Sequence, residues 1–180
     1  VNRELEAVYN MIQRLRDYGI YVVCCGGAAR DYYLGRTPND YDFVVLNTVH
    51  EPETFRRVVE LSTNFECREL GDDVEYVNED RNLAYVFESA LGVDVDHRDL
   101  KVQFLVYTPA KTLTFKGDPH NVVEDFDCSL NYAWFEEHQG RLLVRVHPEF
   151  PSIQYGIKPT HRDGCDERKL YIQHKFPEFY

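Results

Sequence analysis

Gly26-Gly27-Ala28-Ala29-Arg30-Asp31-Tyr32-Tyr33-Leu34-Gly35-Arg36-Thr37-Pro38-Asn39-Asp40-Tyr41-Asp42 is the stretch on which the reading of this chain turns. A short apolar run, residues 20–25, leads into it and reads as a buried strand. The two glycines lack side chains, so backbone N–H groups there can approach a ligand closely. Residues 28–34 follow as a short helix, stopped at Gly35, whose N-terminal N–H groups and positive dipole end favour phosphate. Arg30 lies on that helix and Arg36 just beyond it, each able to hold phosphate oxygens. After the turn-like Thr37-Pro38-Asn39, residues 41–46 read as a second strand. Asp40 and Asp42 stand two apart at its start and project from one face. Two such carboxylates suit a hard divalent cation, Mg²⁺ or Mn²⁺. A phosphate cradle beside a carboxylate pair is the equipment of metal-assisted phosphoryl transfer. Each piece alone is common, and Asp94-Val95-Asp96, a second DxD with no glycine pair near it, reads as surface.

Outward from this stretch, Leu5, Val8, Tyr9, Ile12 and Leu15 recur at helical spacing and predict a helix over residues 4–18 ending at Gly19. Residues 52–62 read as a helix with Pro52 in its first turn. Short strands are expected at 65–69 and 74–77, and a helix at 82–90. A strand is expected over 101–107, where Val102, Phe104 and Val106 alternate. One helical turn is expected at 121–124. Strands over 126–135 and 141–146 flank a polar hairpin of Glu136 to Gly140. A last helix over 166–175 carries Leu170 and His174 on one face. The order gives one α/β (α+β) domain with a mixed central sheet flanked by helices. Residues 1–150 form the catalytic domain, and 151–180 a C-terminal helical tail packed on it.

The pattern G-G-x-x-R-D-x-x-L-G-R-x-x-x-D-x-D, as it stands from Gly26 to Asp42, resembles the signature of tRNA nucleotidyltransferases (CCA-adding enzymes) and bacterial poly(A) polymerases, members of the DNA-polymerase-β-like nucleotidyltransferase superfamily. The resemblance implies the polymerase-β-like fold and transfer of NMP from an NTP to a hydroxyl acceptor, such as a tRNA 3′ end, with release of pyrophosphate. It implies that Gly26 and Gly27 approach the triphosphate, that Asp40 and Asp42 bind the catalytic metals, and that Arg30, and with less support Arg36, contact phosphate. A salt bridge of Arg30 or Asp31 to the scaffold is the structural alternative. The superfamily carries a third carboxylate on a neighbouring strand, and Asp127-Cys128-Ser129-Leu130-Asn131 resembles the D-F-T-x-N part of the family's second motif. Asp127 is the preferred third ligand, with Asp125 as its rival. Asp125-Phe126 replaces the arginine pair that helps the family bind nucleotide, which motivates a rival reading: a catalytically silent protein of this fold that binds a partner protein. The resemblance covers the catalytic head, residues 4–146. The 34 residues that follow are far fewer than the family's helical domains, and the chain is more similar to small stand-alone members, some of them phage-encoded.

The chain has 180 residues and a net charge of −11. Nine acids against two arginines lie between Gly71 and Asp99. Such a charge disfavours non-specific DNA or RNA binding and, for the transferase, leaves a protein or small-molecule acceptor beside the RNA end. At 43% hydrophobic residues the chain can bury a core, and it has no apolar run of about 18 residues that would span a membrane. No secretory signal is visible, which points to a cytoplasmic protein. Five irregularly placed cysteines without a CxxC read as reduced thiols, several of them buried. Seven scattered histidines form no zinc pattern, and Ser129 and Ser152 have no nucleophile-elbow context.

Overall fold

A computed structural model describes residues 3–47, 49, 51–71, 82–93, 99–126, 128–151 and 165–179. The elements are α1 (Arg3–Asp17), β1 (Val22–Cys25), α2 (Gly27–Tyr33), β2 (Asp40–Val45), α3 (Pro52–Thr63), β3 (Arg68–Leu70), β4 (Leu83–Val93), β5 (Asp99–Tyr107), α4 (Pro109–Phe115), α5 (Pro119–Val123), β6 (Ala133–His138), β7 (Arg141–Val146) and α6 (Cys165–Lys175). Single 3₁₀ turns occupy Ser129–Asn131 and Pro177–Phe179. The strands form one mixed sheet in the order β3-β4-β5-β2-β1-β6-β7. β2 and β5 pair in parallel, and every other neighbouring pair is antiparallel.

Two apolar layers cover the sheet. On one face Tyr41, Phe43 and Val45 of β2 meet Val8, Met11, Ile12 and Leu15 of α1 and Phe55 and Val59 of α3. The ring of Phe43 stacks on Phe104 with centroids 5.5 Å apart, and Phe55 meets Phe104 edge-on at 5.7 Å. On the other face Val23, Val44 and Leu105 lie under Phe115, Val122, Val123, Leu130, Ile172 and Phe176. The alternation along β2 thus sends Tyr41 and Phe43 into the first layer and leaves Asp40 and Asp42 on the second face.

Several sequence expectations are corrected. Residues 82–90 are not a helix but most of β4. Leu83, Val86, Phe87, Ser89 and Leu91 are all buried, and register shifts at Leu83/Tyr85 and Ala90/Val93 break the alternation that would have marked a strand. The strand expected over 126–135 starts only at Ala133. Phe126, Cys128, Leu130 and Tyr132 alternate in sequence, yet Asn131 N–H bonds to Cys128 O and closes a 3₁₀ turn there. The hairpin is tighter than expected, because β6 runs to His138. Only Gln139 and Gly140, both at positive φ (51° and 79°), make the turn. α4 was not expected, although Thr108-Pro109 is a helix start in which the Thr108 side chain accepts from Lys111 N–H and Pro109 opens the first turn. Leu170 and His174 share a face of α6, but both are exposed, and among its described side chains Ile172 is the buried one. The short strand expected at 65–69 is Arg68–Leu70. Residues 74–77 and the Asp94-Val95-Asp96 motif fall outside the described residues. No described helix is long and apolar enough to cross a membrane.

Candidate active site

β1 delivers the glycine pair to the polar end of the second face. Gly26 N–H donates to Ala133 O (2.8 Å), tying the end of β1 to β6. Gly26 then turns with φ 78° and ψ −135°, a conformation that side-chain-bearing residues rarely adopt, and α2 begins at once with no side chain capping it. The ring of Phe126 fills the space beside Gly26, 3.5 Å from where a Cβ would stand. At Gly27 the constraint is of another kind: a Cβ there would lie 3.3 Å from Nη2 of Arg30, which would have to give by a few tenths of an ångström. The two glycines therefore answer to backbone geometry and to a guanidinium respectively.

Pairing places the carboxylates. Cys25 is opposite Asp42, so the residue that precedes the glycines and the second aspartate are direct cross-strand neighbours. On the other side of β2, Asp40 is in register with Lys101 and Asp42 with Gln103. The row through Asp42 crosses the whole sheet: Arg68, Glu88, Gln103, Asp42, Cys25, Trp134 and Arg145. Glu88, the other carboxylate of that row, is bonded by Arg68 Nη2 (2.8 Å). Asp40 is exposed and Asp42 half-buried. Burial pushes the Cys24 and Cys25 thiols well up, and the Asp42 carboxylate adds to the push on both. These are thiols of the core, and neither is a metal ligand in waiting.

The arginines are held more firmly than a solvent-facing phosphate contact would be. Arg30 is 5% exposed. Its Nε donates to Asp31 Oδ1 (3.0 Å) and its Nη1 to Asn131 Oδ1 (2.5 Å). Arg30 thus pairs with its own neighbour on α2 and hydrogen-bonds to the neutral side chain of Asn131, and no salt bridge from either Arg30 or Asp31 to another element is present among the described residues. Nη2 is the nitrogen nearest Gly27 and has no protein partner among the described residues. Arg36 donates through Nη1 to Lys175 O (3.1 Å) and through Nη2 to Glu178 (2.5 Å). It also lines an open cavity of about 330 Å³ with Glu4, Tyr32, Thr37 and Pro38.

Asp127 lies outside the described residues. Of its neighbours, Phe126 packs beside Gly26, while Asp125, the rival third ligand, pairs with Lys111 Nζ at 2.9 Å. On the strands that flank β2, the positions in register with Asp42 are Gln103 and Cys25, so neither offers a carboxylate there. Among the described residues no group of three or more His, Cys, Asp and Glu side chains is arranged to hold a metal ion. Sequence reasoning missed two participants. Asn131 stood inside the quoted D-C-S-L-N stretch, but nothing in the sequence paired it with Arg30. Phe176 gave no signal, being an apolar residue near the end of a mixed-charge tail.

The chain superposes on a tRNA nucleotidyltransferase complexed with a primer tRNA and an incoming ATP analogue, with a TM-score of 0.54 and 14% identity over 93% of this chain and 45% of that one. A tRNA-processing enzyme in an apo form gives 0.51, with 16% identity over 98% of this chain and 48% of that one. This chain has the nucleotidyltransferase fold. It spans just under half the length of those structures. No family model matches the sequence, nor does any curated protein. Likeness at the level of fold agrees with the α/β architecture expected from the order of elements.

Proposed function

We propose that this chain is a divalent-metal-dependent nucleotidyltransferase that moves NMP from an NTP to a hydroxyl acceptor and releases pyrophosphate. The register of β1 on β2 carries the reading. Cys25 pairs with Asp42, so the glycine loop and the carboxylate pair stand one strand spacing apart, about 5 Å, at the same end of one face. Asp40 and Asp42 would hold Mg²⁺ or Mn²⁺, with Asp127 as the further ligand. Their fit rests on two hard oxygen donors projecting together, one exposed and one half-buried. A metal bound there would neutralise triphosphate charge and make the acceptor hydroxyl a better nucleophile. Gly26 and Gly27 give backbone approach to the triphosphate, and Arg30 Nη2 supplies a charge-assisted hydrogen bond beside them. The acceptor oxygen bonds to the α-phosphorus as the bond from that phosphorus to the pyrophosphate oxygen breaks, and the hydroxyl proton leaves. The chain's own contribution is positioning and electrostatic stabilisation.

The proposed acceptor is an RNA 3′ end, such as that of tRNA, supported by the tRNA-bound relative of the same fold. Each α-labelled NTP is incubated with Mg²⁺ or Mn²⁺ and total tRNA, then with cell lysate, beside an Asp40→Asn/Asp42→Asn control. Label passing to RNA in the wild type alone is the expected result, and label on a protein band would replace the RNA acceptor by a protein. The second reading, a silent protein of this fold that binds a partner protein, is favoured by Gln103 and Cys25 beside Asp42 and by Asp125-Phe126 in place of the arginine pair. Absence of transfer together with absence of metal-dependent NTP binding would establish that reading and end the first.

A further inference from the structure

The C-terminal segment reaches the glycine loop through one ring. Phe176, immediately after α6, is completely buried, and its N–H bonds to Ile172 O (2.9 Å). The guanidinium carbons of Arg30 and Arg36 lie over its ring at 4.4 and 4.3 Å, with Lys175 Nζ at 5.5 Å. Three cations thus surround one aromatic ring, against the two carboxylates of Asp31 and Glu178 that pair with the arginines. A cation over an aromatic face is attracted by the ring quadrupole, and more strongly where water is excluded. Arg30 is consequently fixed on three sides. Asp31 holds Nε, Asn131 holds Nη1, and Phe176 lies against its plane, while Nη2 is left beside Gly27.

We propose that Phe176 is a positioning residue for triphosphate binding, its ring setting the Arg30 guanidinium so that Nη2 is presented to phosphate oxygens at the Gly26–Gly27 loop. This rests on the nucleotidyltransferase reading above. A long flexible cation that must be ordered by its ligand gives up part of its binding energy to conformational entropy, whereas one already ordered by the protein does not. The inference makes residues 165–179 part of the nucleotide site, a role that their charge-balanced, weakly patterned sequence does not announce.

The test uses the full chain and two readouts: the Kd of inorganic tripolyphosphate by calorimetry, and KM against kcat for the Mg²⁺-NTP in the transfer assay. In Phe176→Leu, Kd and KM should rise about tenfold, equivalent to about 1.4 kcal/mol, with kcat within about twofold of wild type. Phe176→Tyr keeps the ring and should restore both. In an Arg30→Lys background, which keeps the charge but loses the planar group, Phe176→Leu should add little further loss. Should Phe176→Leu fail to fold, Phe176→Met, nearer in volume and without a π face, takes its place. An unchanged Kd in the folded variant, or an equal loss in the Arg30→Lys background, would overturn the positioning role while leaving the nucleotidyltransferase reading intact. A wild-type protein that binds neither tripolyphosphate nor Mg²⁺-NTP would overturn both.

Discussion

The two glycines of the loop should respond in opposite ways to the same substitution. At Gly26 the backbone sits at φ 78° and ψ −135°, and a residue with a Cβ held there costs of order 1–3 kcal/mol. Space is not the obstacle, since the Cβ would meet Phe126 at an ordinary 3.5 Å. For a chain of this size about 2 kcal/mol lowers Tm by about 4–8 °C. Gly27 is inside the first turn of α2, where alanine is favoured over glycine by up to about 1 kcal/mol. The Cβ would stand 3.3 Å from Arg30 Nη2, so the guanidinium must give way by a few tenths of an ångström against the bonds to Asp31 and Asn131. Gly26→Ala should therefore lose stability, whereas Gly27→Ala should melt within a few degrees of wild type and instead weaken tripolyphosphate binding. Thermal and urea unfolding give the first quantity and calorimetry the second. Equal melting temperatures for Gly26→Ala and wild type would refute the backbone argument. Wild-type affinity in Gly27→Ala would refute the guanidinium argument.

Three further outcomes follow from the packing and the charges. Phe104 is fully buried between Phe43 and Phe55; Phe104→Ala should cost about 3–5 kcal/mol in urea unfolding, and a loss below about 1 kcal/mol would contradict the central place of these rings. Burial raises the thiols of Cys24 and Cys25 well above their usual value and that of Cys67 to about 12. Peptides carrying them should stay unlabelled by iodoacetamide at pH 8 in the folded protein and become labelled in urea, and rapid native labelling would count against the buried β1. Glu53, bonded by the Arg56 guanidinium and attracted also by Arg57, has its carboxyl held down at about 2 against an ordinary 4.5. Its contribution to stability is present above about pH 4.5 and lost as pH falls toward 2. Glu53→Gln should flatten the acid limb of the Tm profile in that window, more at low salt than at high salt, and an unchanged limb would show that the exposed cluster does nothing.

Legibility followed the kind of signal each element carried. Amphipathic periods with punctuation were readable. Leu5, Val8, Tyr9, Ile12 and Leu15 mark α1, Gly19 follows its end at φ 83°, and Pro52 opens α3. The glycine loop and the Asp40–Asp42 pair were readable because their chemistry is local, confined to one turn and one strand start. β4 was not, since it is buried at Val86 and Phe87 on opposite faces and irregular in register, so no alternation survives in Leu83–Val93. The residues that hold Arg30 are the clearest case of what sequence conceals. Asn131 lies 101 positions away and Phe176 lies 146 positions away, and neither follows a spacing rule. The Ser129–Asn131 turn before β6 brings the first to the loop, and the folding of α6 onto the second face brings the second.

That placement also bears on how a chain of net charge −11 can receive a triphosphate. Net charge governs long-range approach, but at physiological ionic strength the screening length is about 8 Å, so affinity depends on the charges within that radius. Around the Phe176 ring the arginines and Lys175 lie within 6 Å, and Asp31 and Glu178 bond to the same two arginines. One positive charge is left over. Each arginine has its carboxylate while Lys175 has none among the described residues, and Arg30 also has, at Gly27, a nitrogen without a partner among them. Within this cluster Arg30 Nη2 is the guanidinium nitrogen at the glycine loop, from which an incoming phosphate gains a bond without displacing a described carboxylate. Raising the salt should weaken tripolyphosphate binding with a shallow slope, as expected for one principal cation contact, whereas a steep slope would mean that Arg36 gives up Glu178 to the ligand as well.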